Sequence, residues 1–177
     1  MKQQQPAMRP QDIVVLLKII LFEGKSWNQL NLSEELYLSQ SEISQSISRS
    51  KYAGLLDPRG RHVRRLALMN FLNYGVEFVF PQQTGSIVRG FPTAHAAPPL
   101  ADSIQSSENY VWPTGKGTVK GQSIVPLYPG VIDACRIDSR LHGVLALVDA
   151  IRVGRAREKE IAVNELKNRI SNAKQDN

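Results

Sequence analysis

Residues Leu36 to Leu56 read LYLSQSEISQSISRSKYAGLL, and the fold turns on this stretch. Ser39 is a good helix cap, and Glu42, three residues on, completes a capping box, so a helix is predicted from Gln40 to Ala53. Gly54 stops it, and Leu55-Leu56 return to the core. Ile43 and Ile47 are four apart, with Ser50 and Gly54 further along the same edge, which predicts an inward face. Gln40, Ser41, Ser44, Gln45, Ser48 and Arg49 are then expected to face outward. Gln and Arg make bidentate contacts to base edges, and Ser reaches bases or phosphates. Apart from Glu42 near the cap, that edge carries no acid, whereas an ordinary surface helix mixes in Glu–Lys pairs. The pattern suits a side that lies against the floor of a DNA groove. A solvated surface helix or a protein-binding module is the competing reading.

Working outward, a second helix is expected over Asn28–Tyr37, with Trp27, Leu30, Leu32 and Leu36 as its apolar contacts and Leu38-Ser39 as the turn. The hydrophobic-Ser turn, the start Ser39-Gln40-Ser41-Glu42-Ile43-Ser44 and the close Ala53-Gly54-Leu55-Leu56 resemble the winged helix-turn-helix of bacterial transcriptional regulators, the MarR, IclR and Rrf2 families among them. The resemblance covers about residues 10–60. It implies an α+β chain with a DNA-binding domain at its N-terminal end, double-stranded DNA as partner, and a transcriptional regulator, a repressor by preference; a homodimer is expected because one small helix reads few bases and two-fold pairing doubles the site. The downstream segments GSIVRGFPTAHAAPPL, YVWP, GTVKGQSIVPLYPG and LALVDAIRVGRARE resemble the same part of uncharacterised regulators, which implies no particular activity. An architectural likeness to the AbiEi antitoxins supplies the alternative: an antitoxin or adaptor that binds a toxin or other partner protein and autoregulates its operon.

Asp57-Pro58-Arg59-Gly60-Arg61 is where a wing hairpin would begin, yet Val63 to Leu72 reads as a fourth helix, so the wing is expected to be short or missing. Lys51, Arg59, Arg61, Arg64 and Arg65 follow the reading helix directly and are candidates for phosphate contact, against the plainer reading of a solvated charge run. Upstream, Pro10 suits a first helical position, and Ile13, Leu16, Leu17 and Ile20 recur at helical spacing up to Gly24.

The chain divides into an arm (1–9), the helix-turn-helix region (10–74), a small β-rich region (75–137) and C-terminal helices (138–177). Val76 to Phe80 is expected as a strand, Gly85 to Gly90 as a hairpin arm and Phe91 to Leu100 as an ordered loop. Val111-Trp112-Pro113 with Gly115 to Gly121 is expected as another hairpin. From Asp138 the chain turns helical, with Leu141, Val144, Leu145, Val148 and Ile151 as a stripe that serves either a dimer contact or the intrachain core. A charged helix with Ile161, Leu166 and Ile170 follows the break at Gly154 and is the other candidate for a dimer contact, then a polar tail. Arg152, Arg155 and Arg157 read as a solvated junction before a binding cluster, and Arg89 and His95 as structural residues before a ligand pocket.

The 177 residues carry a net charge of +6, which favours a polyanionic partner. No apolar run approaches the roughly 20 residues of a membrane span. The Gln-rich start lacks the order of an export signal, and a single cysteine, Cys135, suits the cytoplasm. Three scattered histidines give no metal-ligand spacing. Gly115-Lys116-Gly117-Thr118 lacks the spacing of a phosphate loop, and no Gly-x-Ser-x-Gly elbow exists. The sequence therefore nominates no catalytic residue, no metal and no cofactor.

Overall fold

The computed structural model describes residues 5–22 and 24–172; the first four residues of the arm and the last five of the tail lie outside the described residues. The architecture is α+β. Pro10 opens α1 (Pro10–Leu21), where its missing N–H costs no helical bond. Every residue from Asp12 to Ile20 is buried, so α1 is a central helix, apolar nearly all round. Lys18 is the exception in charge. Its Nζ lies 2.6 Å from Asp138 and 2.5 Å from Glu35, which satisfies it where water cannot.

Asn28 caps α2 (Gln29–Leu36) by accepting from Asn31 N. Tyr37 ends the helix in the left-handed region, φ 53°, and turns the chain into α3 (Gln40–Tyr52). Beyond α3, Leu56 and Val63 form an isolated antiparallel bridge, flanked by Asp57 N to His62 O (2.8 Å) and Arg64 N to Leu55 O (2.9 Å). This small hairpin keeps Val63 out of the fourth helix, so α4 spans Arg65–Tyr74.

Val76 to Phe80 is not the expected strand. Val76–Val79 form α5, one helical turn after Gly75, whose carbonyl accepts from Phe78 and Val79. A short apolar run fits a buried strand or a helical turn equally, and here the carbonyls of Gly75 and Val76 close the helical hydrogen bonds.

β1 (Ile87–Thr93), β2 (Tyr110–Pro113) and β3 (Val119–Ser123) close into a small barrel. The first half of β1 pairs antiparallel with β3 (Val88 opposite Gly121) and the second half with β2 (Phe91 opposite Trp112). β2 and β3 are not the arms of a hairpin, as expected, but run parallel, with Tyr110 opposite Gln122. The turn between them lies on β1: a Cβ added at Gly117 would overlap the Gly90 backbone. Phe91 to Leu100 is likewise more ordered than a loop, giving Phe91 to Thr93 to β1 and then two 3-10 turns, Ala94–Ala96 and Leu100–Asp102.

α6 (Val131–Ile137) leads into α7 (Ser139–Val153), which starts on the Asp138 carboxylate, and α8 (Ala156–Asn172) follows. Leu141 and all of Gly143 to Arg152 are buried. α1, α4, α5, α6, α8 and β1 pack on α7, so the Leu141–Ile151 stripe is intrachain core and unavailable to a second copy. Within it, Asp149 accepts from Thr93 Oγ1 (2.6 Å), Trp112 Nε1 (2.7 Å) and Arg152 Nη1 (3.0 Å), while Arg152 Nε donates to Phe80 O (2.9 Å). One carboxylate thus ties two strands and the end of α5 to α7. Arg152 belongs to this core, whereas Arg155 and Arg157 are exposed. One apolar cluster runs from α1 through α7 to Trp112 and on to Leu166. Among the described residues no helix is long and apolar enough to cross a membrane.

Candidate nucleic-acid interface

α3 begins as its sequence dictates. Ser39 Oγ accepts from Glu42 N (3.1 Å), and the Glu42 carboxylate accepts from Ser39 N (2.9 Å). The turn ahead of it is fixed by Ser33 Oγ donating to Leu38 O (2.6 Å) and by Tyr128, whose hydroxyl donates to Leu36 O at the end of α2 (2.7 Å). A residue from beyond the barrel therefore holds the α2–α3 turn.

The buried edge of α3 is Ile43, Ser46 and Ser50, with Arg49 beside them; Ile47 is only half-buried. The edge is thus rotated from the expected Ile43–Ile47 line. Small serines let α3 sit close on α1, and the hydroxyls of Ser46 and Ser50 have no hydrogen-bond partner among the described residues. Arg49 is 8% exposed and does not face outward. Its Nε and Nη2 donate to the two carboxylate oxygens of Asp12 at 2.8 and 2.7 Å. Asp12 is wholly buried on α1, and a buried carboxylate demands a cation, which Arg49 supplies. That hydrogen-bonded pairing raises the Arg49 pKa.

Gln40, Ser41, Ser44, Gln45, Ser48 and Lys51 are exposed along the opposite side. Gln45 Nε2 donates weakly to Ser41 Oγ, one turn back (3.4 Å). The arm residues Gln5 to Arg9 run beside this side and border, with Gln45, Ser48 and Arg49, an open groove of about 620 Å3. No sequence signal placed the arm there.

The basic set divides. A Cβ at Gly60 (φ 71°) would meet Lys51 Cδ at 3.5 Å and Ile47 at 3.2 Å, and one at Gly54 would meet Arg64 Nη1 at 3.9 Å. Lys51, Arg64 and the hairpin turn carrying exposed Arg59 therefore gather at the C-terminal end of α3. Arg59 stands 3.6 Å from Asp57. Burial alone would raise the Asp57 pKa, but the backbone N–H groups of His62 and Arg61 hold it below its ordinary value, so the turn is locked by its own carboxylate. Arg61 lies over Trp27, 5.2 Å from the ring, and donates to Trp27 O (2.9 Å). Arg65 departs from the expected surface: it is half-buried, burial lowers its pKa, and Nη1 donates to Ile170 O (2.7 Å) near the end of α8. An unfilled helix-end carbonyl recruits it.

Elsewhere, His95 is buried with Nε2 on Glu108 O (2.6 Å), and Arg89 is exposed on β1. Cys135 is buried, and burial raises its thiol pKa, which keeps it protonated and unreactive. Among the described residues no group of His, Cys, Asp or Glu could hold a metal ion. No family model, no curated protein and no solved structure matches this chain.

Proposed function

We propose that the chain is a sequence-specific DNA-binding transcriptional regulator rather than an enzyme, acting as a pair of copies. In this reading α2, the Tyr37–Ser39 turn and α3 are a helix-turn-helix, and residues 55–64 are a minimal wing. α3 enters the major groove. Gln40, Ser41, Ser44, Gln45 and Ser48 read base edges, and Lys51, Arg59 and Arg64 neutralise phosphates. One observation carries the reading: apart from Glu42 at the cap, the exposed side of α3 carries no acid and is built mainly of Ser and Gln, while its hidden side is clamped to α1 by a two-pronged ion pair. A clamp of that kind suits a helix that must hold its side chains in register on a rigid ligand. Two copies on half-sites about one helical turn apart double the length of DNA read.

The experiment is selection of bound duplexes from a random-sequence library, followed by binding titrations of the winning duplex at several salt concentrations. A defined motif and a steep fall of affinity with salt are expected. Enrichment of no motif would overturn the reading.

A further inference from the structure

Leu66, Tyr74 and Phe78 are 78%, 72% and 74% exposed, an unusual state for three large apolar side chains on one helical segment. With Asn70 between them they recur every four residues, so they line one side of α4–α5. Leu68, Met69, Leu72 and Val76 fill the other side and are buried against the chain's own core. The segment is therefore apolar on both faces, and only one of them is covered. From Leu66 to Val79 the single charged residue is Glu77, which is paired with Lys159 of α8 at the flank.

We infer that the open face of α4–α5 docks a second copy of this chain, each segment lying antiparallel on its equivalent across a two-fold axis. Charge permits this occupant: each copy carries +6, and apart from the paired Glu77 at its flank the face is uncharged, so two copies meet here without placing like charges in contact. Its surroundings fit as well, since the Glu77–Lys159 pair and Asn73 form a polar edge beside the apolar stripe. Area agrees. Large aromatic side chains bury roughly 150–250 Å2 each. Three large residues about three-quarters exposed then offer on the order of 500 Å2 per copy, and the pair about 1,000 Å2, where specific interfaces begin. The contact is isologous, the same patch on both copies, so it closes at two and does not polymerise. With the α7 stripe and the apolar side of α8 (Ala162, Leu166 and Ile170) both buried in the intrachain core, this face is what gives the two-copy reading of DNA binding its physical contact. It rests on that reading for its purpose only, because the contact needs no DNA.

The test is mass by light scattering at micromolar protein without DNA, for the parent chain and for Tyr74→Glu and Phe78→Glu. The parent should run at twice the chain mass and both variants at the single mass, with unchanged circular dichroism because the substituted side chains already face solvent. Asn70→Cys, near the middle of the stripe, should form a covalent dimer on oxidation, whereas the parent, whose Cys135 is buried, should not. A parent of single-chain mass, or variants that stay dimeric, would overturn the proposal; the first result would leave the face to a different protein. A dimer that selects no DNA motif sinks the regulator reading and leaves this contact standing, and a monomer that selects one does the reverse.

Discussion

Arg49 of α3 and Asp12 of α1 meet through two hydrogen bonds of 2.8 and 2.7 Å, in a place where the carboxylate has no exposed surface. The pair does two jobs at once. It neutralises a charge stranded in an apolar helix, and it fixes the rotation of α3 about its own length, which decides that Gln45 and Ser48 rather than Arg49 face outward.

Removing one member should therefore cost far more than its surface position in sequence suggests. Asp12→Ala or Arg49→Ala leaves the other charge buried and unpaired, a loss of about 3–5 kcal/mol. Replacing both, as in Asp12→Leu with Arg49→Met, should recover most of it. Urea unfolding of the four proteins measures this, and equal losses in the single and double variants would show that the pair is not the anchor.

Ser46 and Ser50 give the opposite expectation. Their hydroxyls are buried without partners among the described residues, so the folded state carries a desolvation cost that alanine removes. Ser46→Ala should leave stability unchanged or raise it by up to about 1 kcal/mol. A drop in the unfolding midpoint would mean that the hydroxyl does find a partner.

On DNA the two sets of residues should separate by the quantity they change. Gln45→Ala and Ser48→Ala should relax base preference while leaving the salt slope intact. Lys51→Ala, Arg59→Ala and Arg64→Ala should each flatten the slope of log affinity against log salt by about one unit and keep the preference. Titrations of the selected duplex and of a scrambled one, at several salt concentrations, read both. Arg65→Ala should change neither, since its guanidinium is spent on Ile170 O.

The helices up to α4 were legible because their signals are local: Pro10 at a first turn, Ser39 with Glu42 three residues on, Gly54 past an end. The rotation of α3 was not. A 13-residue helix with two isoleucines admits more than one inward edge, and the choice is made by Asp12, distant in sequence, which reads there as a first-turn acid. Arg65 was lost for the same reason, its acceptor being a carbonyl on the last helix. The barrel strands were visible in part, Phe91 to Thr93 of β1 having the proline- and alanine-rich texture of a loop, and their order was not visible, because a parallel β2–β3 pair depends on how closely Gly117 approaches Gly90. The stripe on α7 showed its apolar character and left open whether the chain or a second copy covers it.

Acid should weaken the fold in two stages. Burial lowers the His142 pKa from its ordinary 6.5, outweighing the Pro92 carbonyl and the Asp149 charge that favour the protonated ring. The unfolded chain then takes up the proton first as pH falls. Stability is intact above about 6.5 and is lost as pH drops toward the folded value. Asp138 acts lower: although burial opposes it, Lys18 and the N–H groups of Leu141 and Arg140 hold its carboxyl below 3.8, so its contribution fades only beneath that value. Unfolding free energies between about pH 7 and pH 5 should thus slope downward in the parent and less so in His142→Gln. Parallel profiles would assign the slope to another group.

The crossing of the barrel strands can be tested with two glycines in one turn. Gly117 lies flat on β1, and a methyl group there would overlap the Gly90 backbone, which has no side chain to swing aside. Gly115, two residues earlier, has, among the described residues beyond its own chain neighbours, no atom within 4 Å of where its Cβ would stand. Both substitutions remove the same conformational freedom from the unfolded chain, so any difference between them reports the folded contact. Gly115→Ala should shift stability by no more than about 0.5 kcal/mol. Gly117→Ala must push the turn off β1, breaking the contact that carries β2 into a strand parallel to it, and should cost about 1–3 kcal/mol or more. Because Trp112 on β2 donates to Asp149 of α7, the disturbance should also reach tryptophan emission in the folded protein. Equal behaviour of the two variants would mean that the turn stands clear of β1, and β2 and β3 would then be free to pair as the hairpin their sequence first suggests.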